Sequence, residues 1–286
     1  MHPIEQQIYE YIEQVSLGNK ELSDAEVEEF GERCKAALKS KITELKNQKF
    51  YLRMSNIGRP LRQLMLEKQY GRPTPTPEFS IKMLYGSLYE ALTILLLKAS
   101  CGLKEYDIPV ALPIAGIKLE GTLDVKIGNK VYDIKTASPY AYEHKFTSWE
   151  SLYNSDDFGY LAQGFGYAKA NGNRFGGWIV INKSTGEFKV VEIPEHEHDR
   201  LMSEKLQEIS DKIEHINTNK PIPPCENVIE ETYYRKPTGN VVLGDACRFC
   251  PRKDICHPGI KYCASPVSKS ENPVYKWYIK LKEMVA

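Results

Sequence analysis

The sequence predicts an α/β fold, a mixed sheet flanked by helices, and three observations predict it. Phe79–Ser100 is apolar and long enough for a buried helix. Behind it come three strand-like runs, Tyr106–Pro113 and the two arms of a hairpin within Leu119–Thr136. Then Leu161–Lys169 reads as a helix and Gly177–Ile181 as a buried strand. The order is helix, three strands, helix, strand. A helical N-terminal region (1–51) precedes this core (52–220), and a cysteine-rich segment with a tail (221–286) follows.

The elements are justified in turn. Ile4, Ile8, Tyr11, Ile12 and Val15 repeat at helical spacing and stop at Gly18-Asn19. Ser23-Asp-Ala-Glu26 is a capping-box pattern for a second helix, expected to run to about Leu45, with Cys34 on it as a small packed side chain. Leu52–Glu67 carries Arg53, Arg59 and Arg62. Gly71–Pro77 is a proline-rich connector. Glu90 lies inside the long apolar helix, four residues after Gly86, so the two share a face. A buried carboxylate there calls for a charge partner or a metal.

Gly128-Asn129 supplies the turn of the hairpin. Folded there, Ile127 faces Lys130 and Asp124 faces Asp133. Lys135 shares the face of Asp133. Two acids and a lysine thus meet on one side of a small sheet, which suits a divalent metal, although a solvated sheet face would carry the same residue types. The aromatic stretch Tyr140, Tyr142, Phe146, Trp149, Tyr153, Phe158 and Tyr160 is core or lid packing, or a base-stacking surface. Gln163 and Tyr167 share one face of the next helix. Phe188–Ile193 is the hairpin partner of Gly177–Ile181, and Glu195–Ile216 is a helix. Trp277, Tyr278 and Ile279 are read as a short packing helix in the tail.

Composition describes an ordinary soluble globular chain, 42% hydrophobic and 27% charged. The N-terminus shows neither the basic nor the apolar region of a secretion signal. The longest apolar run, Ala91–Leu97, is too short to span a bilayer. A cytoplasmic protein with no membrane partner is therefore expected. The net charge of zero conceals asymmetry. Residues 1–30 carry eight acids and one lysine, residues 31–82 twelve bases and four acids, and residues 235–286 ten bases and four acids. Local basic regions of this kind suit phosphate, whatever the total. Seven cysteines in a reducing compartment point to metal ligation over disulfides. After the boundary at Pro221–Pro224 stand Cys225, Cys247, Cys250, Cys256 and Cys263. Cys247-x-x-Cys250 can present two thiolates to one centre, and Cys256 can close on it.

Gly86-x-x-x-Glu90, Gly121-x-x-Asp124, Asp133-Ile-Lys135-Thr136 and Gln163-x-x-x-Tyr167, in that order and followed by the cysteine triplet, resemble the RecB-type branch of the PD-(D/E)XK nucleases. The resemblance covers roughly residues 52–263. It is nearest to bacteriophage exonucleases and to iron–sulfur nucleases of CRISPR adaptation. It implies a restriction-endonuclease-like core with a C-terminal subdomain stapled by a metal cluster. It also implies a DNA exonuclease acting in phage-type recombination or DNA processing, in the host cytoplasm if phage-encoded. Asp124, Asp133, Glu90 and the Ile134 carbonyl would hold Mg²⁺ or Mn²⁺. Lys135 would orient water, and Gln163 and Tyr167 would support substrate. Cys225, Cys247, Cys250 and Cys256 would ligate a 4Fe–4S cluster, with zinc as the alternative. Cys225 stands in because the early cysteine of several such families is replaced by Arg59-Pro60, with Cys263, Cys34 and His257 as alternatives in that order. Arg53, Arg59 and Arg62 are candidate contacts to DNA phosphates. The implied partners are DNA and recombination or single-strand-binding proteins; oligomerisation is left open. Two alternatives stand beside this reading: a trimming nuclease of the adaptation type that works with partners, and a non-catalytic DNA-binding module.

Overall fold

The computed structural model describes residues 1–43, 49–218, 220–222 and 227–282. Helix α1 (Pro3–Ser16) presents Ile4, Ile8 and Tyr11 to the core. Helix α2 (Asp24–Leu38) starts on the expected capping box, Ser23 accepting from the Glu26 N–H and the Glu26 carboxylate from the Ser23 N–H. It ends earlier than expected, passing into a wide π-type turn at Lys39–Thr43; Leu45 lies outside the described residues. Gly58-Arg59-Pro60 divides the next segment into α3 (Met54–Ile57) and α4 (Leu61–Tyr70). Asn56 accepts the Arg53 N–H there, so the first turn is closed by Asn56 with Ser55 inside it.

Helix α5 (Pro77–Cys101) begins with Thr76 accepting from the Phe79 N–H and ends on Gly102 at φ 64°. Such a left-handed cap costs glycine least. By length and composition α5 would be long enough to cross a membrane, a wider window than the short run Ala91–Leu97 suggested. Its C-terminal half is spent on the core: Ile94 and Leu97 are fully buried with Ile4, Ile8, Val125, Ile134 and Ile179.

Strands β1 (Glu105–Ile114), β2 (Ile117–Ile127) and β3 (Lys130–Ala137) follow as an antiparallel meander. In the β2–β3 turn Gly128 alone takes positive φ (63°), as a type II′ turn requires; Asn129 does not. Helices α6 (Pro139–His144), α7 (Trp149–Asn154) and α8 (Tyr160–Asn171) carry the chain to β4 (Arg174–Asn182), which pairs parallel with β3. A parallel return needs such a crossover. Strand β5 (Phe188–Glu192) closes the sheet in the order β1-β2-β3-β4-β5. Helix α9 (Glu195–Thr218) then packs on α8. Trp178 and Val180 face the α8–α9 side with Phe165, Leu201 and Ile213, whereas Ile179 and Ile181 face the α1–α5 side. Strand β4 is buried on both faces, so it reads as a continuous apolar run. The core is mixed α/β, a mixed sheet flanked by helices.

The C-terminal region departs from expectation. Strands β6 (Val228–Tyr233) and β7 (Lys236–Leu243), short helices α10 (Asp245–Arg248) and α11 (Lys253–Cys256), and strands β8 (Lys261–Ala264) and β9 (Tyr275–Lys280) form a second, antiparallel sheet in the order β6-β7-β9-β8. The expected tail helix at Trp277–Ile279 is strand β9. Its residues alternate, Tyr278 being buried while Tyr275 and Ile279 are exposed. That period of two, with aromatic and β-branched side chains, outweighs helix propensity.

Candidate active site

The site forms where β2 parts from β3. The two strands pair Ile127 with Lys130, Lys126 with Val131 and Val125 with Tyr132, as the turn dictates. The next rung, Asp124 opposite Asp133, is not made. Instead Asp124 Oδ2 accepts the Ile134 N–H at 2.7 Å, so a side chain stands in for a lost backbone acceptor. Strand β3 continues beside β4, with Asp133 level with Trp178.

Asp133 is 2% exposed. Its Oδ2 lies 2.6 Å from Lys135 Nζ, yet no well-angled hydrogen bond reaches that oxygen. Lys135 Nζ also sits 3.4 Å from Gln163 Oε1 and 4.7 Å above the Tyr160 ring. Gln163 and Tyr160 both come from α8, which lies across the sheet at this point. Tyr160 is a neighbour of the lysine that the motifs did not single out; the aromatic run was its only signal. Tyr167, one turn on, packs over Gly121. A Cβ at Gly121 would come within 2.8 Å of both Met54 Cβ and Tyr167 Cε1, so the glycine of Gly121-x-x-Asp124 is a true close approach. Gly86 is not: a Cβ there would meet only Thr136 Oγ1, at 4.0 Å. Close packing therefore does not explain the glycine before Glu90.

The electrostatics are frustrated. Burial raises the Asp124 carboxyl well above its usual range, and the negative charges of Asp133 and Glu90 raise it further, against Lys135 and the Ile134 N–H. Burial also raises Asp133, with Lys135 opposing. Half-buried Glu90 is raised by burial, then by Asp107 and Asp133, and makes no hydrogen bond or ion pair with the described residues. Burial works against the Lys135 charge, but Asp133, Tyr160 and Asp124 hold it protonated. Burial and the nearby Asp124 push the Tyr167 hydroxyl up to about 12, with a Gln163 hydrogen bond opposing. Three acids thus share one lysine.

That donor set suits a hard divalent cation. Among the described residues no three His, Cys, Asp or Glu side chains are gathered to hold one ion. Mg²⁺ asks for less, commonly one or two carboxylates with water and substrate phosphate completing the shell. Asp124 and Asp133 supply two, and the poorly bonded Asp133 Oδ2 is an acceptor with capacity to spare.

The three arginines have different fates. Arg53 stacks 5.5 Å from the Tyr51 ring and lines a groove of about 620 Å³ with Tyr51, Lys118, Glu120 and Gly121. Arg59 lies 3.5 Å from Glu67, a buried carboxylate that also accepts from Gln63 and sits 3.5 Å from Arg72. Arg62 donates to the Ile222 carbonyl at 2.8 Å. Arg59 and Arg62 therefore have partners within the fold, and Arg53 is the one that borders the groove.

Of the expected cluster ligands, Cys225 lies outside the described residues. Cys247 on α10 and Cys250 just after it are buried, and Cys256 on α11 is half-buried. The Cys250 N–H bonds the Cys247 carbonyl, the tight turn that Cys-x-x-Cys predicts. Cys263 lies on β8, paired with Lys276.

No protein-family model matches this chain, and no curated protein matches it. A solved structure described as "Crystal structure of SSO0001" is similar over 79% of this chain and 95% of that one, at 16% identity and a TM-score of 0.41.

Proposed function

We propose that this chain is a metal-dependent DNA exonuclease of the PD-(D/E)XK type, RecB branch, with a restriction-endonuclease-like core and a C-terminal cysteine-ligated centre. One observation carries the reading: three acids lie around a single lysine, with burial raising all three, Asp133 raising both Asp124 and Glu90, and Glu90 raising Asp124 further. A fold keeps such repulsion where function requires it.

A bound Mg²⁺ or Mn²⁺ would supply the charge that activates water and neutralises the phosphate in the transition state. Asp124 and Asp133 would hold it, with Glu90 and the Ile134 carbonyl assisting. Lys135 stays charged and is aimed by Asp133, Gln163 and the Tyr160 ring, so it places a fixed positive charge where negative charge develops. Gln163 and Tyr167 offer polar groups from one helix face for substrate. In the C-terminal region the buried thiols of Cys247 and Cys250, joined by Cys256, suit a 4Fe–4S or zinc centre with a structural role.

The test is digestion of end-labelled linear and covalently closed circular DNA, single- and double-stranded, with Mg²⁺, Mn²⁺ or EDTA. Loss of linear DNA alone, abolished by EDTA, is the expected result. Cleaved circles would make the enzyme an endonuclease, and no cleavage by anaerobically purified protein with either metal would overturn the reading.

A further inference from the structure

The C-terminal sheet has one face that the nuclease reading does not use. Tyr262 on β8 is paired with Trp277 on β9, and Ala264 with Tyr275. In an antiparallel pair these residues point the same way. The Tyr262 ring lies 4.7 Å from that of Trp277 and 5.5 Å from that of Tyr275. Tyr262 is 57% exposed and Tyr275 56%. On the opposite face the aromatic residue is turned inward, Tyr278 being buried and donating to Glu231. The rings are therefore an outward platform and not the edge of a core.

The platform carries a cation, in a region of basic balance. Lys253 Nζ sits 4.6 Å from the centre of the Trp277 ring and donates to the Cys250 carbonyl at 3.1 Å. Lys261 and Lys280 are exposed as well, but Lys261 pairs with Tyr278 and Lys280 stands two residues after it, so they belong to the other side of the sheet and border the platform only at its edge. Residues 235–286 hold ten bases to four acids. One of those acids, Asp245, already lies 3.0 Å from both Lys145 and Arg248. Protein–protein interfaces are depleted in lysine at their centres. Exposed rings with a lysine at their face, in a region of net positive charge, suit a single nucleic-acid strand, its bases stacking while its phosphates meet cations.

We propose that the face carrying Tyr262, Tyr275 and Trp277 binds a single strand of nucleic acid by base stacking, apart from the Asp124–Asp133 site. It rests on the nuclease reading only in naming a substrate for it, since strand capture needs no cleavage. Lys253 joins the platform to the Cys247–Cys250 turn, so the cysteine centre would also hold this surface in place.

The test is fluorescence anisotropy of a 5′-labelled oligothymidylate with the full chain, in EDTA so that nothing is cut. The Tyr262→Ala/Trp277→Ala double variant is expected to bind about tenfold more weakly or worse, while Trp277→Phe, which keeps a ring, stays within about threefold. Oligothymidylate should also quench the intrinsic fluorescence of the wild-type protein, with the Trp277 share of the quench missing in Trp277→Phe, a readout that survives if the double variant fails to fold. A folded double variant that binds like wild type, a wild-type protein that does not bind, or a quench unaltered in Trp277→Phe would each overturn the proposal. So would a double variant that turns a wild-type dimer into monomer with binding unchanged, which would give the face to a second copy. Wild-type binding without metal-dependent cleavage would instead remove the nuclease reading and leave the platform standing.

Discussion

Asp133 and Glu231 are equally buried, each 2% exposed, and the fold serves them in opposite ways. Burial alone would raise the Glu231 carboxyl, yet hydrogen bonds from Tyr278, Asn240, Lys276 and Ser265 lower it to about 2. The partners lie at 2.7, 2.7, 2.9 and 2.8 Å and come from strand β7, from strand β9 and from the residue after β8. Asp133 has one cation and two neighbouring acids. A buried carboxylate with every acceptor site filled ties strands together. One left short among like charges costs stability in the absence of a ligand, and its retention points to a ligand of opposite charge.

Breaking each region should give different losses. Asp124→Asn keeps an acceptor for the Ile134 N–H but removes charge, and Lys135→Ala removes the cation. Cleavage by either is expected to fall by about 10²–10³-fold or more in a nuclease assay, with the far-ultraviolet circular dichroism of wild type. Normal activity in either would contradict the site. Glu231→Ala should leave the chemistry intact and instead cost about 2–4 kcal/mol, through stranded Asn240, Lys276 and Tyr278 donors. Urea denaturation would show it as a lower midpoint. Gly121→Ala pushes a methyl against Met54 and Tyr167 and should cost about 1–3 kcal/mol together with activity. Gly86→Ala, where space is open and the backbone helical, should be neutral or stabilising by up to ~1 kcal/mol.

The smallest effect is in pH, and its sign separates the two regions. Asp124, Asp133 and Glu90 have folded pKa values above their unfolded ones, so the folded state binds more protons and this region loses stability as pH rises through that window. Glu231 has a folded pKa of about 2, below its unfolded value; its contribution is full above the unfolded pKa and is lost as pH falls toward about 2. In EDTA, Asp124→Asn is therefore expected to melt ~2–4 °C above wild type at neutral pH, an advantage that shrinks on acidification. Glu231→Gln should melt below wild type at neutral pH and approach it in acid. Melting curves across pH check both.

The contrast also marks what the sequence could carry. Amphipathic spacing set α1, the Ser23–Glu26 box set the start of α2, and the hairpin register followed from Gly128. Asp124, Asp133, Lys135, Gln163 and Tyr167 do meet. The parting of β2 and β3 was not legible, because it depends on β3 turning to β4 more than thirty residues away. Nor was the bridging of Arg59 to Glu67. The second sheet was missed for a related reason. Its strands are four to eight residues long, and their aromatic and lysine residues fit a short helix until Glu231 reaches across to them. The sequence shows Glu230-Glu231 only as a pair of acids, and nothing in it separates the exposed one from the buried one.

Melting in the presence of Mn²⁺ tests the central claim most directly, applied side by side to wild type, Asp133→Asn and Glu231→Gln. A cation held by the frustrated carboxylates should stabilise wild type and Glu231→Gln, by about 5–10 °C at a hundredfold excess over its dissociation constant, and leave Asp133→Asn unmoved. An equal rise in Asp133→Asn, or none in wild type, would contradict the account.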